Sequence, residues 1–259
     1  MQYGLALGGG GARWYAHIGV LQHIHEKNIS ISEVSGTSMG ALVAAMYATG
    51  VPAQTMQYIF SQLSYGQLFD GSISNGLFGG EKVLHWLNSV FGDATIESCS
   101  IPLRIIAADL ATGQRVIFDK GSIVDAVRAS LSFPGLVTPH EIGDKLYIDG
   151  GTVDNLPIDV LTSDAVIAVS VVNTLYTTID DSYDFWGFKI AKPVFTQTQK
   201  IVNNSLNIMI KRIEDLTIEA SKKKITLIRP DMQDYDMFDI KKLHEIVQLG
   251  YDEAKRLLG

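Results

Sequence analysis

The sequence predicts an α/β fold, a three-layer α/β/α sandwich on a mainly parallel central sheet, and three observations predict it. Segments of strand character alternate with segments of helical spacing along the chain, the order that builds a parallel sheet covered by helices on both faces. Two of the strands run straight into helices through glycine-bearing turns, Gly8 to Arg13 and Gly36 to Gly40. A length of 259 residues, 46% hydrophobic and 19% charged, with a mean hydropathy of +0.15, supplies ample apolar material for one core. We therefore expect a single domain over 1–259, with its motifs within 3–172 and a helical and last-strand part over 173–259.

Tyr3 to Leu7 reads as a buried first strand, and it leads into Gly8-Gly9-Gly10-Gly11-Ala12-Arg13. Four consecutive glycines expose backbone. Trp14, Ile18, Leu21 and Ile24 or His25 then recur at helical spacing, so loop and helix form one strand-loop-helix unit. Two readings compete for the loop. A phosphate cradle would call for Gly-Lys-Ser/Thr or a GxGxxG spacing with an acidic residue ending the next strand, and the chain has neither here. The other reading aims the N–H groups of Gly9, Gly10 and Gly11 at a developing oxyanion, where one donor is commonly worth about 3 kcal/mol.

Ile29 to Val34 alternates as a second strand, and Gly36-Thr37-Ser38-Met39-Gly40 follows at its junction with a helix that ends at Gly50. A strand that bends directly into a helix leaves no room for side chains beside the bend, which suits Gly36 and Gly40. The bend lifts the Ser38 hydroxyl clear of the backbone at a helix N-terminus, where negative charge is favoured. The competing reading is a chance motif in a chain with 24 glycines, with Ser38 only capping its helix.

Residues 53–63 are helical in pattern, and the Gly, Ser and aromatic-rich stretch 64–80 is either a lid over a substrate entrance or an ordinary surface connection. Residues 81–91 return to helical spacing and stop at Gly92. Leu103–Ala108 and Gln114–Phe118 read as a hairpin across Ala111-Thr112-Gly113, and 123–131 as a short helix ended by Phe133-Pro134-Gly135. A second hairpin, Glu141 to Ile148 with a Gly-Asp turn, delivers Asp149-Gly150-Gly151 at a strand end. Glycines there let the Asp149 carboxylate reach a neighbouring strand, although an Asx-type turn explains the same residues. Asp164 to Val172 reads as a core strand. Tyr183 to Phe188 is an aromatic cluster that suits the start of a packed helix or a surface that touches lipid or a partner. Residues 190–220 form one long helix or a pair, 224–230 a last strand and 240–258 a closing amphipathic helix.

Ser38 as a nucleophile needs a base. None of His17, His23, His25, His85, His140 and His244 lies in a loop with small flanking residues after a strand, so a Ser-His-Asp triad is weakly supported. Asp149 accepting the Ser38 proton directly needs no histidine. The net charge of −7, with no basic run longer than Lys222-Lys223-Lys224, argues against nucleic acid as a partner. Cys99 is single, fits a reducing compartment and gives no metal framework. The N-terminus lacks a basic region and the apolar length of a signal peptide, and no apolar run approaches the roughly 20 residues of a membrane span. We expect a cytoplasmic protein.

Together Gly8–Arg13 with His17-Ile18-Gly19-Val20-Leu21, then Gly36–Gly40, then Arg128–Gly135, then Asp149-Gly150-Gly151-Thr152-Val153-Asp154-Asn155-Leu156-Pro157 resemble the patatin-like phospholipase family, over about residues 3–172. The resemblance implies the patatin-like α/β/α fold and the bacterial single-domain branch. It also implies a lipid acyl hydrolase with Ser38 as nucleophile, Asp149 as proton acceptor and an oxyanion hole from Gly9, Gly10 and Gly11. Arg13, Gly36, Gly40, Gly150 and Gly151 would support that site. No metal or cofactor is implied, and the partner expected is a lipid or acyl-ester substrate with transient contact at a membrane surface. One departure stands out: the family usually has glycine where this chain has Trp14, a ring that narrows the acyl pocket or changes how the first helix packs. Asp154 is expected in a turn and cap role. Two other readings keep the fold: a lipid-binding regulatory protein without activity, and an acyltransferase, a class that pairs its GxSxG serine with histidine.

Overall fold

A computed structural model describes residues 2–63, 80–172, 182–185, 188–191, 194–235 and 239–259. In chain order its strands are β1 (Gln2–Leu7), β2 (Ser30–Thr37), β3 (Leu103–Asp109), β4 (Arg115–Phe118), β5 (His140–Ile142), β6 (Lys145–Asp149), β7 (Ala165–Val169), β8 (Ser182–Phe185), β9 (Phe188–Ala191) and β10 (Lys224–Ile228). Its helices are α1 (Tyr15–Glu26), α2 (Met39–Ala48), α3 (Ala53–Ser61), α4 (Glu81–Phe91), α5 (Ile123–Ser130), α6 (Val194–Ala220) and α7 (Leu243–Leu258). The proposed lid, 64–80, lies outside the described residues except for Gly80.

The main sheet runs β10-β7-β1-β2-β3-β6-β5, with β4 also on β3. Strands β10, β7, β1, β2 and β3 are parallel, with α1 between β1 and β2, α2, α3 and α4 between β2 and β3, and α6 before β10. The two expected hairpins form and join this sheet as an antiparallel edge on β3. Side chains alternate across the sheet. In β1, Leu5 and Leu7 enter the larger core with α1, α2, α3, α4 and α7, while Ala6 faces Leu156, Ile158 and Leu161 on the other side, where Ile218 of α6 packs. That division makes the three layers.

One expectation changes. The aromatic cluster at 183–188 does not start a helix; its ends are the paired strands β8 and β9. Ser182 to Phe185 and Phe188 to Ala191 are two short runs rich in aromatic and β-branched residues, a hairpin pattern.

The register of β3 sets the site. Strand β4 takes one edge of β3 from Ile105 to Ala108, so β2 and β6 lie end to end along the other. Thr37, the last residue of β2, sits opposite Ile106, and Asp149, the last residue of β6, opposite Ala107. Adjacent positions on one strand thereby bring Ser38 and Asp149 to the same point.

Candidate active site

Ser38 stands between β2 and α2 with φ 56° and ψ −130°, a backbone conformation that costs a non-glycine residue roughly 1–3 kcal/mol. The surrounding bend imposes it. A Cβ on Gly36 would lie 2.5 Å from the Gly40 carbonyl oxygen, and one on Gly40 would lie 2.3 Å from that of Leu7, so the turn closes only with glycine at both places. The Ser38 amide donates to Ser130 Oγ (2.7 Å), whose hydroxyl donates to the Ile106 carbonyl (2.6 Å). Ser38 does not cap α2 with its side chain; instead its Oγ donates to Asp149 Oδ2 at 2.5 Å.

Asp149 is 1% exposed. Its Oδ1 accepts the Gly151 N–H (2.7 Å), while its own N–H donates to the Ser132 carbonyl (3.0 Å). The Asx-type turn and the contact with Ser38 are therefore both present, one carboxylate oxygen each. Burial pushes the Asp149 carboxyl up to about 6, against the Ser38 and Gly151 hydrogen bonds that favour its ionised form. A carboxylate in that range is a competent base near neutral pH. Gly150 allows the approach, since a Cβ there would stand 2.4 Å from the Ile106 carbonyl oxygen.

The glycine loop lies against this pair. Gly8 N–H donates to Val169 O (2.9 Å), and Gly9 N–H is directed at Asn155 O (3.4 Å). No described carbonyl takes the N–H of Gly10 or Gly11, and Gly11 opens the 3₁₀ turn that feeds α1, where first-turn amides lack intrahelical partners. Arg13 Nε donates to Gly10 O (3.0 Å), which ties the loop to the 3₁₀ turn that follows it. His17, fully buried, donates Nε2–H to Gly8 O (2.7 Å), and burial holds its imidazole neutral, down at about 4. No described histidine bonds to Ser38 or Asp149. Among the described residues no group of three or more His, Cys, Asp or Glu side chains is placed to hold a metal ion.

A cavity of about 140 Å³ opens beside the pair. Its polar lining comes from Ser38, Asp149, Asn155, Asn207 and the Gly9–Gly11 turn, its apolar lining chiefly from Trp14, Phe60, Leu63, Trp86, Leu136 and Ile210. Trp14 packs edge-on against Phe60 at 4.3 Å between ring centroids, and Phe60 lies 5.7 Å from Trp86. Trp14 thus lines the cavity and packs at the entry to α1.

Several supporting residues lie inside the motifs, but their contacts are not written in the local sequence. Ser130 and Ser132 acquire their roles from the return of α5 across β3, and Arg128 Nη1 donates to Ser132 Oγ (2.6 Å). Asp154 has no cap role: it is a buried partner of Arg115 Nη1 (2.7 Å), and its carbonyl accepts Thr37 Oγ1–H (2.8 Å). Asn155 Nδ2 donates to Gly9 O (3.2 Å) and to Glu214 Oε1 (2.7 Å).

A serine on a strained strand-to-helix turn, hydrogen-bonded to a buried aspartate beside a glycine loop, defines an α/β protein of the serine-elbow class. The family model for patatin-like phospholipases matches residues 5–162, and the chain belongs to that family. An NTE family protein of Mycobacterium tuberculosis is 40% identical over 173 residues, which cover 64% of this chain and 48% of the relative. The neuropathy target esterase of Drosophila melanogaster is 30% identical over 268 residues, 96% of this chain and 19% of that protein. The chain spans about half the length of the mycobacterial relatives or less. Among solved structures, VipD from Legionella pneumophila shares the fold with a TM-score of 0.60 at 15% identity, over 99% of this chain and 66% of that one. No helix among the described residues is long and apolar enough to cross a membrane.

Proposed function

We propose that this protein is a serine acyl hydrolase of lipid or other acyl esters, of the phospholipase A, lysophospholipase or esterase type. The observation that carries the reading is the 2.5 Å hydrogen bond from Ser38 Oγ to Asp149 Oδ2, in a cavity whose remaining wall is largely apolar. The family's phospholipase description and the esterase relative support the same class of bond.

The steps follow from the placement of the groups. Asp149 Oδ2 takes the Ser38 proton as Oγ bonds to the ester carbonyl carbon, and the carbonyl oxygen becomes an oxyanion facing the Gly9–Gly11 turn, with the N–H groups of Gly10 and Gly11 as donors. Collapse breaks the ester C–O bond, and the leaving alkoxide receives the proton from Asp149. Water then attacks the acyl-serine, gives its proton to Asp149, and the acid leaves as Ser38 regains its proton. Trp14, Phe60 and Trp86 hold the acyl chain. The largely apolar lining of the cavity suits the acyl part of an ester. Contact with the membrane surface would be peripheral.

Because Asp149 acts as a base only when ionised, kcat/KM for p-nitrophenyl butyrate should rise tenfold per pH unit below about 6 and level off above it. Burial also pushes Asp154 up to about 6, against the pull of Arg115, so the control is Asp154→Asn, which should keep the same midpoint. A rate independent of pH between 5 and 8, or a midpoint that moves with Asp154→Asn, would remove Asp149 from the role of base.

A further inference from the structure

Helix α6 lies outside every motif that marks the site, yet it sends a carboxylate to it. Glu214 is fully buried, on the face of α6 that also carries Asn207 and Ile210 into the cavity wall. Its Oε1 accepts Asn155 Nδ2–H at 2.7 Å and its Oε2 accepts Ser170 Oγ–H at 2.6 Å, with Arg229 Nη2 at 3.8 Å. The same Asn155 Nδ2 donates to Gly9 O at 3.2 Å, and the Asn155 carbonyl receives Gly9 N–H at 3.4 Å. A Cβ on Gly9 or Gly151 would come within 2.7 or 2.8 Å of Asn155 Oδ1, so this amide is wedged between the glycine loop and the turn that carries Asp149. A Cβ on Gly8 would meet Glu214 Oε1 at 3.3 Å.

A carboxyl group in the interior is costly unless its oxygens are hydrogen-bonded or paired. Here both oxygens are committed, one to the amide that touches the loop and one to Ser170, just past the end of β7, where Gly8 N–H also bonds Val169 O. We infer that Glu214 is a positioning residue: through Asn155 it fixes the Gly9–Gly11 turn against the Asp149 turn, so that the loop amides meet the oxyanion. The inference rests on the hydrolase reading above.

An interaction used only on the developing oxyanion lowers kcat when lost and leaves KM nearly unchanged. In the full-length chain, Glu214→Leu should lower kcat for p-nitrophenyl butyrate by about 100-fold, with KM changed by no more than about threefold, the scale of a lost oxyanion donor. Glu214→Gln keeps an acceptor for Asn155 Nδ2 and a donor toward Ser170 Oγ, and should restore kcat to within about threefold of wild type. The double variant Glu214→Leu with Asn155→Ala should be no slower than the slower single variant, because both remove one support. Ser170→Ala, which frees Oε2, should give a smaller loss of kcat in the same direction, and it serves if the leucine variant does not fold. Unchanged kcat in a folded leucine variant or in Ser170→Ala, multiplying effects in the double variant, or a glutamine variant as slow as leucine would each overturn the assignment. Failure of the hydrolase reading looks different: the wild-type protein itself would then cleave no ester.

Discussion

Replacing Asp149 by asparagine should lower kcat for ester hydrolysis by about 10⁴-fold and at pH 8 make the protein more stable. The first effect follows from removing the acceptor of the Ser38 proton, on the scale seen when an asparagine replaces a triad aspartate. The second follows from the raised carboxyl. A group whose folded-state pKa stands near 6, above its usual 3.8, favours the folded state only while it is protonated. Wild-type stability is therefore lost as pH rises from about 4 through 6, by an amount of order 3 kcal/mol at most. Asparagine avoids that loss, since its Oδ1 still accepts Gly151 N–H and its amide still meets Ser38 Oγ. Thermal melts of both proteins check it: the variant should melt about 5 °C higher at pH 8, with the gap closing below about pH 4. Equal melting at all pH values would mean that burial does not raise the Asp149 carboxyl above its usual range.

Replacing Trp14 by alanine should change which esters are cleaved. The indole lines the cavity, packed against Phe60. Each additional buried methylene is worth about 0.8 kcal/mol, so four more carbons accommodated correspond to roughly a 200-fold change in relative kcat/KM. The ratio of kcat/KM for a decanoyl ester over a hexanoyl ester should rise by about that factor in Trp14→Ala. The variant should also lose about 3–5 kcal/mol of stability, because Trp14 is a core residue, so the ratio is to be measured well below its melting temperature. An unchanged ratio would assign Trp14 to packing of α1 alone.

Much of this site was readable from local sequence because each part has a local steric reason. Gly36 and Gly40 flank a bend that excludes a Cβ, Gly8 to Gly11 free a stretch of backbone, and Gly150 lets Asp149 pass the Ile106 carbonyl. The alternation of strands and helices likewise announced the parallel half of the sheet. What binds these parts is register, which no short stretch records. That Thr37 and Asp149 fall opposite successive residues of β3 depends on where two hairpins dock. Ser130, Ser132 and Asn155 lie inside recognisable motifs, yet their bonds to Ser38, Asp149 and Gly9 become definable only once that docking is known. Glu214 reads in sequence as an ordinary polar member of an amphipathic helix, because the groups that claim its oxygens lie 44 and 59 residues away.

The central claim, that Ser38 is a nucleophile activated by Asp149, is tested most directly by reacting the folded protein with a fluorophosphonate and mapping the adduct by mass spectrometry of its peptides. The account predicts one adduct, on Ser38, absent in Ser38→Ala and formed far more slowly in Asp149→Asn. Folded protein that stays unlabelled, or that carries its adduct on another residue, would contradict it.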